Sequence, residues 1–141
     1  MQNTTTNVLC TYTLSENGIH EYHILEPSRA AIDEWLQMMT TLVEMLNQQE
    51  SNDPVLMIVD YSTITAGAPI NYVMTSLQRW NKTVYRRRRA HVGVIMGNSA
   101  IISVVDLMLR TFRLADTVHL FRSNDKEPAY AWLEKMRKSH F

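Results

Sequence analysis

The chain has 141 residues, 45% of them hydrophobic and 20% charged, and its 14 basic side chains balance 14 acidic ones. That balance supplies no field to recruit nucleic acid or an anionic membrane, and a lone cysteine, Cys10, excludes an internal disulfide and the multi-cysteine kind of zinc site. A chain of this length buries roughly 68–70% of its unfolded surface and holds a core without metal or disulfide, so one domain over residues 1–141 is expected.

The polar start, Met1 to Asn7, lacks the charged and apolar regions of a secretory signal, and no apolar run approaches the roughly 18 residues of a membrane span. A cytoplasmic protein with no membrane span is expected. Val8, Cys10, Tyr12 and Leu14 then alternate with Leu9, Thr11 and Thr13, Asn17-Gly18 tolerates positive φ, and Ile19 to Leu25 resumes an extended pattern. These residues predict a β-hairpin. Ser28 can cap a long helix whose apolar stripe is Ile32, Trp35, Leu36, Met39, Val43 and Leu46. Val55 to Val59 is a continuous apolar run bounded by Pro54 and Asp60, as in a strand covered on both faces.

The alternation repeats. Pro69 suits the first turn of a second helix with Ile70, Val73, Met74, Leu77 and Val84 inward, and Val92 to Met96 is the next buried strand. Asn98 can cap a third helix from about Ser99 to Leu114, and Val118, Leu120 and Phe121 mark a last strand. Ser123 or Asn124 caps the final helix, with Glu127 at capping-box spacing from Asn124, Pro128 in the first turn, and Ala129, Trp132, Leu133 and Met136 inward. The order β-β-α-β-α-β-α-β-α predicts an α/β fold, an amino-terminal hairpin followed by β-α units, with a mixed five-stranded sheet whose later strands are parallel.

In such sheets ligands and partners meet the carboxyl ends of the strands. Here those ends carry Asp60, Tyr61, Ser62, Thr63, Thr65 and Gly67, then Asn98 and Ser99, then Arg122 and Ser123. Hydroxyls and amides leading into helix starts attract anions, and the same residues also serve as plain caps and turns.

The hairpin, the long capped helix, the strand running into Val59-Asp60-Tyr61-Ser62, and the closing Phe121-Arg122 followed by Glu127, Ala129, Trp132 and Leu133 resemble the STAS superfamily of bacterial anti-sigma-factor antagonists. The last segment is most similar to its divergent STAS/Sec14-like bacterial branch. The resemblance spans nearly the whole chain and implies a regulatory or ligand-sensing module without catalysis, its strands in sequential order. Phosphorylated antagonists of that family carry an Asp-Ser-Ser-Gly type motif at the start of the second helix. Aligned on Gly67, the acceptor position is Ala66 and the aspartate position is Ile64, and alanine cannot be phosphorylated. Ser62, Thr63 and Thr65 remain as displaced acceptors or turn hydroxyls.

Catalytic patterns are sparse. His20 and His23 fall on opposite faces of a strand, Cys10 reads as a small core residue, and Asp60 has no evident companion for acid or base work. Arg86 to Arg89 forms a basic run, read as a solvated helix end opposing the second helix's dipole or as a phosphate or head-group contact. On the third helix, Ile102 and Leu109 lie off the stripe of Ile101, Val105, Met108 and Phe112, and suit either burial or a homodimer or partner surface. The expectation is a non-enzymatic regulatory module that binds a protein partner, without cofactor, metal or specific nucleic acid. The alternative is a binder of a small apolar or lipid-like ligand between helices and sheet, which nine methionines would suit.

Overall fold

The computed structural model describes residues 4–6, 9–64, 69–96, 105–106, 118–122 and 126–139. Its sheet has the sequential order β1 (Thr4–Thr6), β2 (Cys10–Leu14), β3 (Ile19–Ile24), β4 (Val55–Asp60), β5 (Ala90–Ile95) and β6 (Val118–Phe121). The first two pairings are antiparallel and the remaining three parallel. All five expected strands are therefore present, and a sixth, β1, extends the sheet beyond them. Three threonines have no apolar alternation to betray them, yet their branched side chains suit a strand, and the open edge of β2 offers the backbone partners.

Between β2 and β3 the chain turns over four residues. Gly18 takes φ 78° and donates its N–H to the Ser15 carbonyl at 3.0 Å, while Ser15 Oγ accepts from Ile19 N–H at 3.0 Å. This closure sets the register that pairs Tyr12 with Tyr22 and Leu14 with His20.

Helix α1 (Arg29–Asn47) starts where Ser28 Oγ accepts the Ala31 N–H at 3.1 Å, as the capping pattern predicts. Leu42 joins the expected buried stripe and Leu36 is only half-buried. Helix α2 (Ile70–Thr83) begins at Pro69, which occupies the cap rather than the first turn, and Val84 lies beyond its end. Helix α3 (Glu127–Lys138) is capped by the backbone of Lys126, not by Ser123 or Asn124, both outside the described residues; Glu127 and Pro128 make its first turn. Of the expected helix from Ser99 to Leu114, Val105 and Asp106 are described, both helical, and the rest lies outside the described residues.

Side-chain alternation sorts the sheet into two faces. Tyr22, Ile24, Met57, Val59 and Met96 join α1 and α2 in one core; Ile19, Leu56, Ile58 and Ile95 join Ala129 and Leu133 of α3 in the other. Gly93 lets α3 approach closely, because a Cβ there would meet the Phe121 ring at 3.3 Å and Ala129 Cβ at 3.5 Å. Trp132 of α3 completes this layer, stacking on His119 with centroids 5.3 Å apart.

Candidate functional site

Asp60 and Tyr61 are neighbours in sequence, but the pleat sends them to opposite faces, so the residues expected to form one site at the carboxyl edge are divided. Asp60 faces α3. Its Oδ1 accepts from the Ser62 N–H at 3.0 Å and the Ser62 hydroxyl at 2.5 Å, and its Oδ2 lies 3.5 Å from Lys126 Nζ. Burial alone would raise this carboxyl's pKa, but the two Ser62 hydrogen bonds, with the charges of Lys126 and His23, hold it below the ordinary value. Lys126 also reaches Glu21 Oε1 at 3.2 Å, and the Tyr130 hydroxyl donates to Glu21 Oε2 at 2.8 Å. Burial and the bond to Glu21 both push the Tyr130 hydroxyl's pKa up. Asp60 therefore has companions that sequence reasoning missed: Glu21, Lys126 and Tyr130.

This cluster pins the start of α3 to the sheet. Its carboxylates accept from Ser62, Lys126 and Tyr130, which ties the turn after β4 and the start of α3 to β3. Thr63 Oγ1 donates to the Ile24 carbonyl at 3.1 Å and shares a 3.2 Å hydrogen bond with His23 Nε2. Arg122 is exposed. Thr65, Gly67, Asn98, Ser99 and Ser123, like Ile102 and Leu109, lie outside the described residues.

Tyr61 belongs to a different feature. Between the helices α1 and α2 and the sheet is a cavity of about 560 Å³. It runs from Ala90 and the arginines before β5 to Tyr61 and Met96 after β4 and β5, with Val105 in its wall. The volume lies within the roughly 300–1,000 Å³ typical of small-molecule sites. The cavity explains why the inward stripe of α2 is incompletely covered: Met74 is buried, whereas Ile70, Val73 and Leu77 are half-buried, as are Val92 and Val94 opposite. Two lining side chains carry buried polar atoms with no hydrogen-bond partner among the described residues, the Trp35 indole N–H and the Tyr61 hydroxyl. Trp35 is 5% exposed and Tyr61 6%. Buried polar groups are rarely left so, because each loses its solvation without recovering a bond.

Arg86 to Arg89 lines the amino-terminal end of the cavity. Within this run Arg87 and Arg88 are not a solvated helix end, whereas the exposed Arg86 does lie against Trp80 and Asn81 at the end of α2. Arg87 Nε reaches the Asn47 carbonyl at 3.4 Å, Nη1 the Asn52 Oδ1 at 2.6 Å, and Nη2 the carbonyls of Ser51 at 2.7 Å and Gln49. Arg88 Nε donates to the Asp53 carbonyl at 2.9 Å and Nη1 to Gln49 Oε1 at 3.0 Å. The two cations thus close the chain leaving α1, a partner some 40 residues away that periodicity within one helix cannot register.

No protein-family model matches this chain, and neither a curated protein nor a solved structure matches it significantly. Among the described residues no group of three or more His, Cys, Asp or Glu side chains converges as metal ligands, and no helix is long and apolar enough to cross a membrane.

Proposed function

We propose that the chain is a non-enzymatic, STAS-like sensing module that holds a small, largely apolar molecule between α1, α2 and the sheet. The observation carrying this reading is the cavity lined by apolar side chains and by the unpartnered donors of Trp35 and Tyr61. An apolar molecule with an acceptor atom would fill the space and satisfy a donor at once. Two further facts support a role without catalysis. Cys10 is buried and its thiol pKa is pushed up to about 12, first by burial and then by Glu34, so it stays protonated. Asp60 is committed to Ser62 and Lys126. The sequential strand order agrees with the STAS-like reading, though a fold alone assigns no activity.

A protein partner docking at the carboxyl edge is the second reading. Tyr61 favours it, because this residue lines the cavity and also begins the turn to the exposed Thr63, so occupancy and docking share one segment. Native mass spectrometry of protein purified from its host tests both. A co-purifying small mass that departs on unfolding is expected; a protein partner bound to ligand-free chain would favour the second reading, and an empty monomer that no apolar probe enters would overturn the first.

A further inference from the structure

The four consecutive arginines divide by what they hold. Arg87 and Arg88 are engaged with carbonyls and amides of residues 47–53, whereas Arg86 and Arg89 are not. The Arg89 guanidinium has no hydrogen-bond or ion-pair partner among the described residues, and that of Arg86 has one, its Nη2 donating to Asn81 Oδ1. A guanidinium offers five N–H donors. Arg86, Arg89 and Asn81 all line the same end of the cavity, and none of the four arginines reaches a carboxylate among the described residues.

The guanidinium of Arg86 lies over the Trp80 ring, 5.4 Å from its centroid. Stacking positions the cation and leaves its N–H edge available, and a guanidinium loses less hydration than an ammonium would in such a place. Arg86 and Arg89 are both exposed at the mouth of the cavity, and the partial cover that Trp80 gives Arg86 lowers its pKa by desolvation.

We propose that this end of the cavity is an anion site, and that the ligand is a single-chain amphiphile whose apolar tail lies along the cavity and whose anionic head group is held by Arg86 and Arg89. The inference rests on the cavity reading above and specifies its chemistry. An apolar channel whose exposed mouth carries two cations is complementary to such a molecule at both ends: a neutral apolar ligand makes no use of the guanidiniums, and a free anion leaves the channel unfilled. A nucleic acid fits poorly, because two arginines without carboxylate partners on a chain with zero net charge neutralise too few phosphates to hold one.

Dodecanoate, dodecan-1-ol and inorganic phosphate separate these contributions. Binding is followed by calorimetry and by tryptophan fluorescence, Trp35 and Trp80 both lining the cavity, at about pH 8, where a carboxylate is ionised. Dodecanoate is expected to bind about tenfold more tightly than dodecan-1-ol, a preference of about 1.4 kcal/mol. The Arg86→Gln/Arg89→Gln variant should bring dodecanoate to the level of the alcohol while leaving alcohol affinity within about twofold. Arg79→Gln, on an exposed position of α2 outside the cavity, should preserve the preference. Inorganic phosphate alone should not bind. Equal affinities in the unsubstituted protein, or a preference that survives the double substitution, would overturn the anion site while leaving the cavity reading intact. Phosphate binding as tight as dodecanoate would replace the amphiphile by a free anion, and failure of both dodecyl compounds to bind would overturn the cavity reading itself.

Discussion

His20 sits on β3 among apolar side chains, 9% exposed, where its Nδ1 and the Tyr12 hydroxyl share a 2.7 Å hydrogen bond. Burial, with a contribution from Arg88, lowers its pKa from 6.5 to about 4. The unfolded chain therefore binds a proton at this residue that the folded chain refuses, and stability contributed by the neutral ring is whole above about pH 6.5 and is lost as the pH falls toward about 4. A loss approaching about 3 kcal/mol is expected over that window. Urea unfolding at a series of pH values measures it, and His20→Gln should flatten the profile between these limits. A variant as acid-sensitive as the parent would mean that other groups govern acid unfolding. Asp60 acts in the same direction but lower, because its depressed pKa places its contribution above the ordinary carboxylate range and removes it only as the pH falls through the folded value. The opposite facing of His20 and His23 follows from the odd spacing of two residues on one strand. The partners of Glu21 do not, because Lys126 and Tyr130 lie more than 100 residues away.

At the scale of elements, α1 is capped differently at its two ends. Ser28 supplies the amino-terminal cap from the adjacent position, a local interaction that the sequence displays directly. The last turn contains no basic residue, and Arg87 arrives across the fold to satisfy the carbonyls of Asn47, Gln49 and Ser51. Arg87→Ala is expected to cost about 1–2 kcal/mol, below the full value of several charge-assisted hydrogen bonds because the site is partly solvated. Denaturant unfolding of the variant checks this, and a change within about 0.5 kcal/mol, as for an ordinary surface position, would mean that water replaces the guanidinium without loss. Just beyond Arg87 and Arg88 the β4–β5 pairing starts: Val55 N–H donates to the Arg89 carbonyl at 2.8 Å, one residue ahead of the Val55–Ala90 register.

For the molecule as a whole, the two faces of the sheet are packed unequally. The face toward α3 closes tightly around Ile58, Ile95, Ala129 and Leu133, all fully buried, with Gly93 admitting the helix. The face toward α1 and α2 is dense near β3 and β4 but leaves the cavity beside β5, where Val92 and Val94 stay half-buried. Interiors ordinarily fill to crystal-like density, so such a space is a standing loss of dispersion contacts unless a ligand occupies it. Val94→Phe is expected to fill part of it, raising unfolding free energy by about 0.5–2 kcal/mol and abolishing the binding of apolar probes. Thermal unfolding and calorimetry read the two effects together. A destabilised variant would show that the walls already meet, since over-packing costs about 1–3 kcal/mol.

What the sequence determined by itself are the features that repeat over a few residues: the strands from Cys10 to Phe121, the cap at Ser28, the turn at Gly18, and the alternation of β and α elements along the chain. Side-chain alternation and capping are local, so their signals survive in one dimension. The tertiary structure alone decided which helix each face of the sheet meets, that Arg87 and Arg88 are internal ties while Arg86 and Arg89 reach no partner in residues 47–53, and that α2 stands off from β5. Each of those outcomes depends on which distant segments fill the same volume. Volume is shared between elements and is written in none of them singly.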